Sequence, residues 1–221
     1  MRMSITQAAR ADATRRKLLE AAFHEFYRQG FQAGSLTAIV DGAEVTKGAL
    51  FHHFASKQAL GYAVVDEIIV PRLVERWLAP LAAAADPIAV QQQAFQQHVR
   101  ADIDSGSWVL GCPMNNLAQE MSPLDGGFQE RLGPLYARWR ATVADALTRG
   151  KASGVVRSDV DVDAAAALVV FSQIGVWSVG KHSHDPALMT QAADALCAYL
   201  ETLRAPAAPP LRRALRRTRA R

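Results

Sequence analysis

Residues 35 to 57, SLTAIVDGAEVTKGALFHHFASK, constrain this chain more than any other stretch. Leu36, Ile39 and Val40 recur at helical spacing and give a first short helix one apolar stripe. Ser35 stands just ahead of it, where a hydroxyl accepts from a free backbone N–H. Glu44-Val45 makes a turn, Thr46 is a second N-cap, and Leu50 and Phe54 carry the apolar face onward. The other face of this second helix holds Thr46, Lys47, Ala49, Phe51, His52 and His53. Gly48 and Ala49 keep its first turn slim. A slim helix start with donors beside it fits a major groove, and its dipole favours phosphate. Ser56-Lys57 then caps a third helix and adds a positive charge.

This stretch resembles the helix-turn-helix signature of TetR-family transcriptional regulators. The likeness continues upstream through Thr14-Arg15-Arg16-Lys17-Leu18-Leu19-Glu20-Ala21-Ala22 to Gly30-Phe31, without a gap over residues 12 to 60. It implies an all-α fold: a three-helix DNA-binding domain over residues 1–57 and a helical ligand-binding and dimerisation domain over 58–204. It also implies DNA contacts from Ser35, Thr37, Thr46, Lys47, Gly48, Ala49, Phe51, His52, His53 and Lys57. Three positions depart from the family pattern. Glu44 stands where glycine is usual, at a turn position that needs φ > 0 and costs another residue roughly 1 kcal/mol. Val40 replaces a small residue between packed helices, and Phe51 replaces a tyrosine whose hydroxyl reaches phosphate.

The length of 221 residues suits one large domain or a small one joined to a larger one. No apolar run is read as reaching the roughly 18 residues of a membrane span, and residues 1 to 17 are polar and basic rather than a signal peptide. These features place the chain in the cytoplasm, with no membrane partner. Two cysteines, Cys112 and Cys197, are too few for a disulfide framework. The net charge of +4 divides unevenly: residues 1–57 carry +3, residues 58–204 carry −5 and the tail 205–221 carries +6. A basic head on an acidic body turns the head toward the polyanion.

Residues 1–11 form an arm whose Arg2 and Arg10 either reach DNA or belong to a loose terminus. A first helix from about Asp12 ends at Gln29, before Gly30. Residues 57–84 read as a long connecting helix, kinked or broken at Pro71 and ending before Pro80. Asp86-Pro87 opens another helix to about Ser105. Cys112 precedes Pro113 at the start of a short helix, where a thiol is either activated or a small buried filler. The run GCPMNNLAQE is similar to a sub-group of the family that senses electrophiles or oxidants through a cysteine here. Trp108, Cys112, Met114, Leu117, Trp139 and Phe171 are the candidate effector-site residues. Asp125-Gly126-Gly127 reads as a turn before a helix over 128–152.

Asp161 or Asp163 caps AAAALVVFSQIGVWSVG, a helix apolar on nearly every side. Such a helix must be covered all round, and a second copy of the chain is the simplest cover. The last helix, 186–204, is similar, and the resemblance gives both to a four-helix dimer interface. Val170, Ile174, Trp177, Leu196 and Tyr199 are its candidate residues. The tail APAAPPLRRALRRTRAR reads as disordered, either adding salt-sensitive DNA affinity or only solubilising the chain.

Enzyme readings fare poorly. There is no glycine-rich phosphate loop and no Ser-His-Asp constellation, so no catalytic residue, metal or cofactor is expected. His182-Ser183-His184 has metal-like spacing but falls at a helix end, and the adjacent His52 and His53 point apart. The sequence therefore reads as a repressor that binds a palindromic double-stranded DNA operator as a homodimer and is released by a small apolar or electrophilic effector. The alternative is a helical small-molecule-binding protein or enzyme that keeps the head without reading an operator.

Overall fold

A computed structural model of the chain describes residues 7–206. Arg2 and the arginine-rich residues 207–221 lie outside the described residues, as do the expectations that fall on them. Among the described residues nine helices follow one another, and the only β pairing is an isolated antiparallel bridge between Val156 and Arg204.

The head consists of α1 (Gln7–Gln29), α2 (Leu36–Gly42) and α3 (Lys47–His53). Helix α1 begins earlier than expected and takes Arg10 into a helix. Its apolar stripe, Leu18, Leu19, Ala22, Phe23 and Phe26, is buried against α2, α3 and the helix that follows. Ser35 accepts from the Ala38 N–H and Thr46 from the Ala49 N–H, each a cap worth about 1 kcal/mol. Between them Glu44 turns the chain at φ +56°, and the Val45 N–H returns to the Val40 carbonyl at 3.0 Å.

Helix α4 runs over residues 57–82 without a break, against the expectation that it ends before Pro80. It changes pitch instead. Two π-helical turns, Val65–Ile69 and Val74–Leu78, each stand shortly before a proline, Pro71 and Pro80. A proline in a helix has no N–H to give and crowds the carbonyl four residues earlier. The wider turn moves that carbonyl aside, and the Val70 and Ala79 N–H groups bond five residues back, to Val65 and Val74.

The body contains α5 (Pro87–Ser105), α6 (Pro113–Met121), α7 (Gly126–Ala152), α8 (Val162–Ser183) and α9 (Pro186–Thr202). Asp86, Asp125, Asp161 and Asp185 cap four of these starts through side-chain oxygens. Asp125 thus opens α7 directly, where a turn was expected. A 3₁₀ turn, Ser107–Leu110, joins α5 to α6. Helix α8 packs against α7 and α9. It is the one helix among the described residues long and apolar enough, by length and composition, to cross a membrane, which corrects the reading that no run reaches that length.

Head and body share one apolar core. Phe31 of the head meets Phe128 of α7 edge to face at 4.9 Å. Glu120 of α6 accepts from the Phe31 and Gln32 N–H groups, both at 2.8 Å, just beyond the end of α1.

Candidate nucleic-acid interface and effector cavity

The reading face of α3 matches the amphipathic pattern that built it. Leu50 is fully buried, while Lys47, Gly48, Phe51 and His52 are exposed and Ala49 and His53 half-buried. Ser35, Thr37 and Thr46 are exposed at the starts of α2 and α3, although the hydroxyls of Ser35 and Thr46 are already used as caps. Nothing lies within ordinary contact of a Cβ at Gly48 except the Thr46 hydroxyl, so the tip of α3 stays slim. Lys57 is engaged differently: its ammonium donates to the Gln32 carbonyl at 3.0 Å and lies over the Phe31 ring. Arg15 also turns inward, to an ion pair with Glu67 that holds this carboxyl below its ordinary range. Lys17 and Glu44 approach at 3.9 Å, both largely exposed.

A second site lies where α1 meets the body. A cavity of about 670 Å³ is walled by α1, α4, the end of α5, the 3₁₀ turn and the start of α6. Trp77 of α4, Trp139 of α7 and Trp177 of α8 form its floor, with ring centroids 5.4 and 5.7 Å from Trp77 to the other two. The Arg76 guanidinium rests on the Trp77 and Trp177 rings and donates to Asp102 at 2.5 Å. Asp102 accepts also from the Trp177 indole N–H at 2.6 Å and the Ser107 hydroxyl at 3.2 Å. His98, behind this pair, points Nε2 at the Arg76 carbonyl at 3.1 Å, and burial together with the nearby guanidinium lowers its pKa. Tyr27 of α1 donates to the Gly111 carbonyl at 2.5 Å, tying the head to the cavity wall.

Of the six effector-site candidates, Cys112, Met114 and Trp139 line this cavity. Leu117 is buried in the core instead, and Trp108 stands half-buried with its ring 6.4 Å from His184. Phe171 is misplaced in the sequence reading: it is 60% exposed on the outer side of α8. The dimer candidates need a matching correction. Val170 and Leu196 are buried in the protomer's own core, and Trp177 belongs to the cavity floor. Ile174 and Tyr199 are half-buried. The exposed apolar row of α8 is Leu168, Phe171 and Val179, with Leu188 of α9 exposed as well. An all-round apolar helix has two flanks, and its periodicity does not say which one meets its own protomer.

Burial pushes the Cys112 thiol up, despite the Met114 and Asn115 N–H groups at the start of α6. Sequence reasoning missed Tyr27, Arg72, Arg76 and Asp102, all cavity residues from three separated segments. The only local signal was an arginine beside a tryptophan in the seam of α4. Among the described residues no group of histidine, cysteine and carboxylates is arranged to hold a metal.

Residues 18–64 match the family profile for bacterial regulatory proteins of the tetR family, and residues 89–196 match the tetracyclin repressor-like C-terminal domain. The chain belongs to the TetR family. It is a ligand-responsive, DNA-binding transcriptional regulator. Among curated relatives, it is 26% identical over 163 residues to the HTH-type transcriptional repressor DhaR of Mycobacterium sp. (strain GP1), covering 73% of this chain and 79% of that one. A TetR regulator from Chloroflexus aurantiacus superposes with a TM-score of 0.77 at 24% identity, over 89% of this chain and 99% of that one. A cysteine mutant of the TetR-family regulator CifR, complexed with a 26 bp double-strand operator, gives 0.71 at 18% identity, over 82% and 94%.

Proposed function

We propose that this TetR-family chain is a repressor in which residues 1–57 read a palindromic operator and residues 58–204 bind an effector and dimerise. The observation that carries the reading is the shared wall: α1 of the head lines the same cavity as Trp139 and Trp177 of the body. A ligand filling that space prefers one placement of α1 over another, and so shifts the head between two states of unequal DNA affinity. The relatives support repression, since DhaR carries that name, and CifR is described on operator DNA. The exposed row of Leu168, Phe171 and Val179 supports a two-fold pair, which would present two α3 helices to successive turns of a duplex. A chain of this kind works in the cytoplasm. The effector reading favoured here is non-covalent, because a thiol raised by its surroundings is a poor nucleophile at neutral pH.

Footprinting on the DNA flanking its own gene tests this directly. We expect a protected palindrome, and we expect Lys47→Ala to reduce the salt slope of binding by about 2, one lost phosphate contact in each half-site of the dimer. Equal affinity for that DNA and for random duplex would overturn the proposal.

A further inference from the structure

The charged acceptor of the cavity lining is already spent. Its one carboxylate, Asp102, already receives Arg76, Trp177 and Ser107. The Gly111 carbonyl is taken by Tyr27, and the Leu110 carbonyl by the Asn116 amide at 2.6 Å. Donors are in surplus. Among the described residues Arg28 makes no ion pair and stands exposed where α1 borders the cavity. Arg72 spends one N–H on Glu20 at 3.0 Å and lies over the Phe23 ring, 4.0 Å from its centroid, with close to half its side chain exposed. Deeper in, the Nε of Arg76 and the indole N–H of Trp139 are buried with no hydrogen-bond partner. A buried donor without a partner costs roughly 1–3 kcal/mol, so the lining favours an acceptor-bearing ligand over a donor-bearing one.

Charge agrees with the hydrogen-bond count. The lining carries Arg28, Arg72 and Arg76 against Asp102, with Glu20 pairing Arg72 from outside it, at the junction of a +3 head and a −5 body. A cation entering would find no free carboxylate, and a neutral molecule would leave the mouth arginines unused. The floor of Trp77, Trp139 and Trp177 with Met114 takes an apolar or aromatic body.

We infer that the ligand of this cavity is an organic anion, a carboxylate-class head on an apolar, ring-sized body, its head held at the mouth by Arg28 and Arg72. This inference rests on the cavity being the effector site. The test uses 4-phenylbutyrate with its amide and its amine, which share a body and differ in the head. Three of the four tryptophans line the cavity, so their emission reports binding in the intact protein. The acid should bind at least about tenfold more tightly than the amide, with the amine weakest. Arg28→Gln and Arg72→Gln should each shrink the acid's advantage over the amide by roughly threefold or more, because a guanidinium holds a carboxylate more strongly than a neutral carbonyl. Should the amide or the amine match the acid, or should both variants keep the full preference, the anion assignment falls while the cavity reading stands. A saturable signal from none of the three overturns the assignment as well. A preference for the acid with no effect on retardation of the promoter fragment keeps the assignment and removes the effector role, so the two failures are separable.

Discussion

Glu44 holds φ +56° in the turn between α2 and α3, a conformation that suits glycine far better than a side chain. Its one ion pair among the described residues, with Lys17, is 3.9 Å long and exposed, and contributes little. Glu44→Gly is therefore expected to stabilise the protein by about 1 kcal/mol and raise Tm by roughly 2–4 °C, read by thermal unfolding. An unchanged or lower Tm would show that the turn carries no such strain. His98 gives the opposite kind of expectation. Its pKa is lowered in the fold, so the unfolded chain takes up the proton first as pH falls through about 6.5. The contribution of neutral His98 is complete above that pH and declines on acidification. Denaturant titrations at pH 7 and 5.5 should show that His98→Gln loses less stability over this interval than the parent chain. Equal losses would mean that His98 is not the group involved. Both residues differ in how far the sequence exposes them. The turn at Glu44 is local, and its demand for φ > 0 is legible from family resemblance alone; the shift at His98 needs Arg76 and Trp77 from another helix.

At the level of helices, caps and boundaries were readable because an N-cap is written within three residues of the N–H it satisfies. Ser35, Thr46, Ser56, Asp86 and Asp161 all do what their positions imply. The two π turns of α4 were not, since nothing in Val65–Ile69 or Val74–Leu78 says that the helix will widen rather than break at a proline. The cavity was legible only in part. Cys112 and Met114 lie in one segment, whereas α1, α4 and the end of α5 enter from far along the chain. The join between head and body was also invisible. Glu120 satisfies two N–H groups at the end of α1 from a helix some ninety residues away. Glu120→Ala should cost about 1.5–3 kcal/mol, because both donors lose a charged acceptor, and it should loosen the head on the body. Hydrogen exchange is expected to rise at Phe31 and Gln32 while α8 stays protected. Unaltered exchange there would remove Glu120 as a tether.

For the molecule as a whole, the exposed row on α8 bears on assembly. Leu168, Phe171 and Val179 are 47%, 60% and 53% exposed in the protomer, an apolar row that a monomer gains nothing by showing to water. Phe171→Glu should leave the helical content intact, move the protein to half its mass in sedimentation, and weaken operator binding. A variant that sediments like the parent would place the interface elsewhere. The wall that α1 shares with Trp139 and Trp177 has a further consequence. Linkage runs both ways: any factor by which an occupant of the cavity lowers affinity for DNA is the factor by which DNA lowers affinity for that occupant. Protein seated on a promoter would then be a duller sensor than protein adrift in solution, and a cell carrying extra promoter copies would need more inducer for the same response.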